Sequence, residues 1–257
     1  MKPATQNGFT LLEMAIVLMI VGLLLGGMLV PLTAQMDQRN FTETRKSLDD
    51  IQQALIGYAI INGRLPCPAS STSNGVESFN TGSGGNSTNG LCSNFNNGFV
   101  PAATLGIAST VDNQGNTGFA VDAWGNRIHY AVTASNSRAF TSLNGMRSTG
   151  ISSLTPDLLV CSTASTSGSS CSVANSALTA SPGVPVVIYS TGKNGGHYAT
   201  GTDEAENPNP SSADTDDVFV SHNITSSSAT NGEFDDLVIW ISPNVLINRM
   251  VAAGKLP

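Results

Sequence analysis

Charge is scarce in this chain of 257 residues. Asp, Glu, Lys and Arg make up only 11% of it, and the balance is acidic, with 11 Lys+Arg against 18 Asp+Glu. So few basic residues leave no patch able to neutralise phosphates, which argues against a nucleic-acid partner. The motifs of common enzymes are missing as well: there is no G-x-S-x-G, H-E-x-x-H or P-loop. Ser190-Thr-Gly-Lys193 matches S-x-x-K, but a four-residue pattern without its companion motifs carries no catalytic claim. The three histidines, His129, His197 and His222, stand apart from one another, with His129 in a predicted strand. No CxxC and no nearby His pair is present, which speaks against zinc. No A-x-A follows the apolar segment near the start, which speaks against a cleaved secretory signal.

What the chain has instead is neutral polarity. Ser, Thr, Asn and Gly crowd its middle, a composition that solvates loops with hydrogen-bonding groups rather than ion pairs and is common in exported surface proteins. The length allows a real core and one or two domains. Four cysteines, Cys67, Cys92, Cys161 and Cys171, read as disulfides in an exported domain, and three pairings are possible. Cys67–Cys92 and Cys161–Cys171 are favoured, because each pair brackets a Ser/Gly/Asn-rich loop with little else to hold it. Closing such loops stabilises a fold by roughly 2–4 kcal/mol each.

No charged residue occurs from Met14 to Met36, and Met14 to Val30 is almost unbroken Leu, Ile, Val, Met, Ala and Gly. That approaches the ~20 residues needed to cross ~30 Å of hydrocarbon as a helix. The helical pattern continues beyond it, with Phe41, Leu48, Ile51, Leu55 and Tyr58 forming an amphipathic stripe. A membrane helix thus runs into an amphipathic one, weakened near Gly26, Gly27 and Pro31, where proline removes a backbone donor and clashes with the preceding turn.

Gly8-Phe9-Thr10-Leu11-Leu12-Glu13 before an apolar helix resembles the type IV pilin and type II secretion pseudopilin family. The resemblance implies cleavage by prepilin peptidase between Gly8 and Phe9, a leader spanning Met1–Gly8, and N-methylation of Phe9. It also gives Glu13 a purpose. A carboxylate in lipid costs on the order of 3 kcal/mol and needs a partner. In the family the glutamate is thought to meet the N-terminal amine of a neighbouring subunit during filament assembly.

Past Gly63 the pattern changes. Gly63 suits a left-handed helix cap with Pro66 as a stop, and Gly254 and Pro257 repeat that device after a short helix in VLINRMVAAGKLP. Residues 69–98 read as a Ser/Asn/Gly surface loop. Strands are predicted at Arg127–Thr133, Asp157–Cys161, Val184–Ser190 and Asp235–Ile241, each rich in β-branched or aromatic residues and bounded by turn formers. One long helix followed by four short strands predicts an α+β fold with an antiparallel sheet packed on the helix, with Trp124 and Trp240 near that interface. The same architecture is implied by the pilin resemblance. Asp122-Ala-Trp124-Gly125-Asn126, then Ser190-Thr-Gly192-Lys-Asn194-Gly195, then Asp235-Asp236-Leu237 resemble the globular domain of major pseudopilins. Long loops at roughly 135–156, 162–183 and 199–232 depart from it and suit a minor or specialised subunit.

Residues 203–236 hold nine carboxylates and no Lys or Arg: Asp203, Glu204, Glu206, Asp214, Asp216, Asp217, Glu233, Asp235 and Asp236. Such a stretch is either a solvated acidic loop or a cation site. Calcium takes 6–8 oxygens from flexible loops, and the resemblance points to calcium in this region. There is no EF-hand spacing; Asp214, Asp216, Asp217 and Asp236 are the expected ligands if calcium binds.

The sequence therefore predicts a leader at 1–8, a transmembrane and filament-core helix at 9–32, its amphipathic continuation at 33–63, and a disulfide-tied domain at 64–257. The expected function is that of a structural subunit of a type IV pilus or secretion pseudopilus. It would be held in the inner membrane with its C-terminal domain periplasmic. Its expected partners are prepilin peptidase, other pilin or pseudopilin subunits and an inner-membrane assembly platform. The rival is a membrane-anchored periplasmic binding domain that never polymerises, keeps its leader and is indifferent to Glu13.

Overall fold

The computed structural model describes residues 9–107, 110–163, 171, 176–195, 202–207 and 217–257. The chain forms two units, Met1–Thr42 and Glu43–Pro257. The long helix α1, Leu11–Asn62, supplies most of the first and opens the second. Gly26, Gly27 and Pro31 lie within its helical run, so the weakening expected there does not end the helix.

In the first unit every described side chain from Leu11 to Leu24 is exposed, and apolar residues such as Leu11, Leu18 and Leu23 stand more than half uncovered. A helix apolar all round needs lipid or neighbouring protein to cover it. Among the described residues no helix is long and apolar enough to cross a membrane. The side chains of residues 25–33 fall outside the description, and Met14–Leu24 alone is shorter than the ~20 residues a span requires.

In the second unit the predicted stripe is buried. Leu48, Ile51, Leu55 and Ala59 are almost wholly enclosed, and Tyr58 is half-buried. Gly63 then ends the helix with φ 69°, its N–H donating to the Ala59 carbonyl at 2.8 Å. A Cβ there would lie 2.8 Å from Asn144 Oδ1, so the site demands glycine for space as well as for conformation. The turn that follows buries Arg64, whose guanidinium forks onto Glu77 with contacts of 2.8 and 2.7 Å. The Tyr58 hydroxyl and the N–H of Cys67 also donate to Glu77. This pair fixes the start of the first disulfide loop.

Strands β1 (Gly98–Phe99), β2 (His129–Val132), β4 (Val186–Ser190) and β6 (Leu237–Ile241) form one antiparallel sheet in that order. The fold is α+β, as the pattern predicts. Strand β3, Leu159–Cys161, does not join that sheet; it pairs in parallel with β5, Val218–Val220. Its approach to β4 stops at a single bridge between Leu158 and Val184, and the chain then turns to β5. The short β1 takes the fourth place instead. Pleating sends Ala131, Val187, Tyr189, Val238 and Trp240 to one face, where they pack with Leu158, Val160 and Phe219 of the smaller sheet. The opposite-facing Tyr130, Val132, Val186 and Ile188 are fully buried too. Gln52 of α1 donates to the Trp240 carbonyl at 2.8 Å, and Ala123 N–H donates to the Thr44 hydroxyl at 3.1 Å.

Both expected disulfides form, Cys67–Cys92 and Cys161–Cys171. Inside the first loop, asparagine side chains replace the missing regular structure. Asn86 Oδ1 accepts from the N–H groups of Thr88 and Asn89, and Asn94 Oδ1 accepts from those of Asn96 and Asn97. Such Asx turns satisfy backbone donors locally, which explains why this loop is neutral and asparagine-rich. A C-terminal helix, Pro243–Ala252, closes the chain and is capped by Gly254 at φ 70°.

Candidate functional site

Two places in the molecule carry chemistry beyond packing. The first is the start of α1. Thr10 and Glu13 form a reciprocal capping box: Glu13 N–H donates to Thr10 Oγ1 at 3.2 Å, while Glu13 Oε2 accepts from Thr10 N–H at 2.9 Å and from its hydroxyl at 2.8 Å. The spacing T-x-x-E is the sequence signature of this device. It satisfies backbone donors that a helix start leaves open, and it aims the carboxylate back toward Phe9, which is 82% exposed. Gly8 lies outside the described residues.

The second place gathers the three segments that resemble a pseudopilin domain. Asp122 Oδ1 accepts from the N–H groups of Trp124 and Asn126, which folds DAWGN into a tight turn. Its other oxygen accepts from Ser190 Oγ at 2.6 Å, and Asn126 Nδ2 donates to the Gly192 carbonyl at 2.8 Å. The 192–195 turn is in turn bound by Asp235, whose Oδ2 accepts from the N–H groups of Lys193 and Asn194 at 2.9 and 3.1 Å. Gly192 has φ 61°, and a Cβ on it would sit 2.1 Å from Asp235 Oδ1. Ser190, committed to Asp122 and to Gly192 N–H, ties turns together and is no nucleophile.

Behind this turn, oxygens of Glu204, Asp235 and Asp236 lie within 4.8 Å of one another. All three residues are buried. Glu204 Oε1 accepts from Asp235 N–H at 2.7 Å and Oε2 from Asn194 Nδ2 at 2.8 Å, while Asp236 Oδ2 accepts from Asn207 Nδ2 at 2.8 Å. Asp235 Oδ1 is buried with no hydrogen-bond partner among the described residues. Burial raises all three carboxyls, Glu204 to about 7; Asp235 adds repulsion at Glu204, Glu204 and Asp235 add it at Asp236, and Glu233 adds it at Asp235.

Of the residues expected to bind calcium, only Asp236 belongs to this group. Asp217 stands elsewhere: its carboxylate accepts from Asn96 Nδ2 at 2.8 Å and faces Asp157. Asp214 and Asp216 lie outside the described residues. Glu204 and Asp235 enter in place of Asp217, because the fold brings together two positions 31 residues apart. A hard oxygen-seeking cation suits three carboxylates, one of which has an idle oxygen.

A family model for the prokaryotic N-terminal methylation motif matches residues 3–29. No curated protein and no solved structure matches the chain. The match covers the N-terminal segment alone, the segment that holds the Gly8–Phe9 junction and the Thr10–Glu13 box. The likeness to prepilin-type proteins, of the type IV pilin and pseudopilin kind, is carried by this motif.

Proposed function

We propose that this chain is a minor or specialised subunit of a type IV pilus or type II secretion pseudopilus. The reading is carried by one observation: a prepilin cleavage motif leads directly into a helix whose first turn holds Glu13 in a box with Thr10. Cleavage after Gly8 leaves a positive amine at Phe9. N-methylation keeps that amine basic. The chain then waits in the inner membrane with residues 64–257 in the periplasm. Glu13 of one subunit meets the amine of another as the apolar helices come together, which neutralises two charges that lipid disfavours. The long loops between the strands, and the second sheet they support, suit a subunit with its own contacts.

The test is mass analysis of the N-terminal peptide from membrane fractions, together with incorporation of Glu13→Val into filaments. A peptide starting at methylated Phe9, and a variant that inserts in the membrane but is left out of filaments, are expected. A chain starting at Met1, or normal incorporation of the variant, removes the reading and favours an anchored binding domain.

A second element of the proposal is calcium at Glu204, Asp235 and Asp236, supported by the unpartnered Asp235 Oδ1. There the ion would supply positive charge to three carboxyls whose ionised form burial disfavours. It would lock the 192–195 turn to the start of β6.

A further inference from the structure

A cavity of about 190 Å³ opens beside the DAWGN turn. Its walls include Phe99, Asn113, Gln114, Asn126, Arg127 and His129. None of these residues is used by the N-terminal motif, by the disulfides or by the carboxylate group. We propose that this cavity is a binding site for a neutral ligand of monosaccharide size, a ring bearing several hydroxyls.

Charge selects the class first. Arg127 is the cation in the wall, and it is already matched: its Nε lies 2.5 Å from Asp112 Oδ2, and one terminal nitrogen donates to the Ser71 carbonyl at 3.1 Å. Its plane also rests over the Phe119 ring at 4.0 Å and near that of Phe99 at 5.1 Å. A charged ligand would therefore meet a neutral pair, with no uncompensated opposite charge to attract it.

Donors and acceptors select it next. The amides of Asn113, Asn126 and Gln114 line one rim. Asn113 Nδ2 is spent on the Trp124 carbonyl and on Asn126 Oδ1, while glycine at position 125 leaves room for Asn113 Oδ1, which a Cβ would approach to 2.2 Å. Asn126 is committed too, its Nδ2 to the Gly192 carbonyl, so Asn113 Oδ1 and the Gln114 amide are left to meet hydroxyl groups, which both donate and accept.

His129 is the most telling wall. It is 3% exposed, and its Nδ1 is buried with no hydrogen-bond partner among the described residues. Native proteins seldom leave such an atom unpaired without a use for it. The ring is held rigidly, stacked on Tyr189 at 4.7 Å and tilted against Phe99 at 4.9 Å, because the three residues are in register across β1, β2 and β4. Burial holds the imidazole far below its usual pKa, at about 3, so it stays neutral and offers one donor and one acceptor. The apolar face of a sugar ring complements the aromatic side of the cavity, and its hydroxyls complement the amide side. The size fits too, since drug-sized ligands need roughly 300 Å³ or more.

The test is saturation-transfer NMR on the full chain, purified in a detergent without a sugar headgroup, against millimolar glucose, galactose, mannose and their N-acetylated amines. Glucuronate and glucosamine serve as charged controls. Saturable transfer to one or more neutral sugars is expected, weakened by about tenfold or more in His129→Phe, which keeps the stack and loses both nitrogens. Gln114→Trp, at an exposed position of the rim, is expected to block the cavity without touching the core. No saturable transfer to any neutral sugar overturns the proposal. So does equal transfer to the charged controls, or transfer that persists in both variants. Glu13→Val is expected to bind the same sugars as the unaltered chain, which separates this site from the assembly reading.

Discussion

Two kinds of buried or part-buried carboxylate coexist in the C-terminal unit, and the difference between them lies in what faces each one. Asp112 and Glu77 meet arginines, Arg127 and Arg64. Glu204, Asp235 and Asp236 meet amides, backbone N–H groups and one another. At Asp112, burial pushes the pKa up, yet hydrogen bonds from Asn116, Arg127 and Gln114 outweigh it and bring the group down to about 2. In the cluster burial outweighs the hydrogen bonds, and Glu204 rises to about 7. The first kind is a finished ion pair that works as a clasp. The second is unfinished, which makes it responsive to protons and to metal.

Breaking the finished kind should have the largest effect. Arg64→Met strands Glu77 beneath Tyr58 and Cys67, and removing one partner of a buried pair costs about 3–5 kcal/mol. Urea unfolding of the full chain in detergent is expected to show that loss, and a midpoint within error of the unaltered protein would mean that Arg64 contributes packing alone.

The unfinished kind gives a smaller and conditional effect. A carboxyl whose folded pKa is raised favours the native state below its unfolded value, and that contribution disappears as pH climbs through the folded value. For Glu204 the window runs from about 4.5 to about 7, so the metal-free protein should lose stability across it. Asp112 works in the opposite sense, its contribution present above about 3.8 and lost as pH falls toward 2. Calcium at a hundredfold excess over its dissociation constant should restore about 2.7 kcal/mol at neutral pH. Melting curves with calcium and with EDTA at several pH values measure both, and coincident curves would leave the cluster a purely protonic feature.

Smallest of all is the expected cost of Asp236→Asn in EDTA. Burial raises this carboxyl well above its usual pKa, so a neutral amide should replace it with a change of about 1 kcal/mol or less. The calcium response should vanish in the same variant. A variant that keeps the response would place the cation elsewhere in the acidic stretch.

Much of this was legible from residue order, for reasons that differ by element. The period of Leu48, Ile51 and Leu55 revealed the buried face of α1, because a helix repeats its contacts at short range. Strands β2, β4 and β6 announced themselves through β-branched runs. Cysteines bracketing Ser/Asn/Gly loops gave the pairing. What stayed hidden depended on long-range meetings. Gly98–Phe99 is too short to show a period, and the parallel match of Leu159 to Val218 leaves no local trace. The acidic density of 203–236 marked the right region but not the right members: the density was spread over nine residues, and only the fold could bring Glu204 against Asp235. Nor did anything in the order Arg127, Ile128, His129 indicate that one side chain would meet Asp112 and another would be buried with an idle nitrogen.

The capping box at the start of α1 changes how the proposed joining of subunits should be pictured. Before any neighbour arrives, Oε2 of the Glu13 carboxylate already accepts from the amide and hydroxyl of Thr10. An incoming amine that takes Oε2 exchanges bonds with a hydroxyl one turn away. A chain in that state travels with one of the two oxygens already engaged. It also predicts that the first turn loosens at the moment of docking, so that the newest subunit in a fibre is the one whose helix begins least firmly.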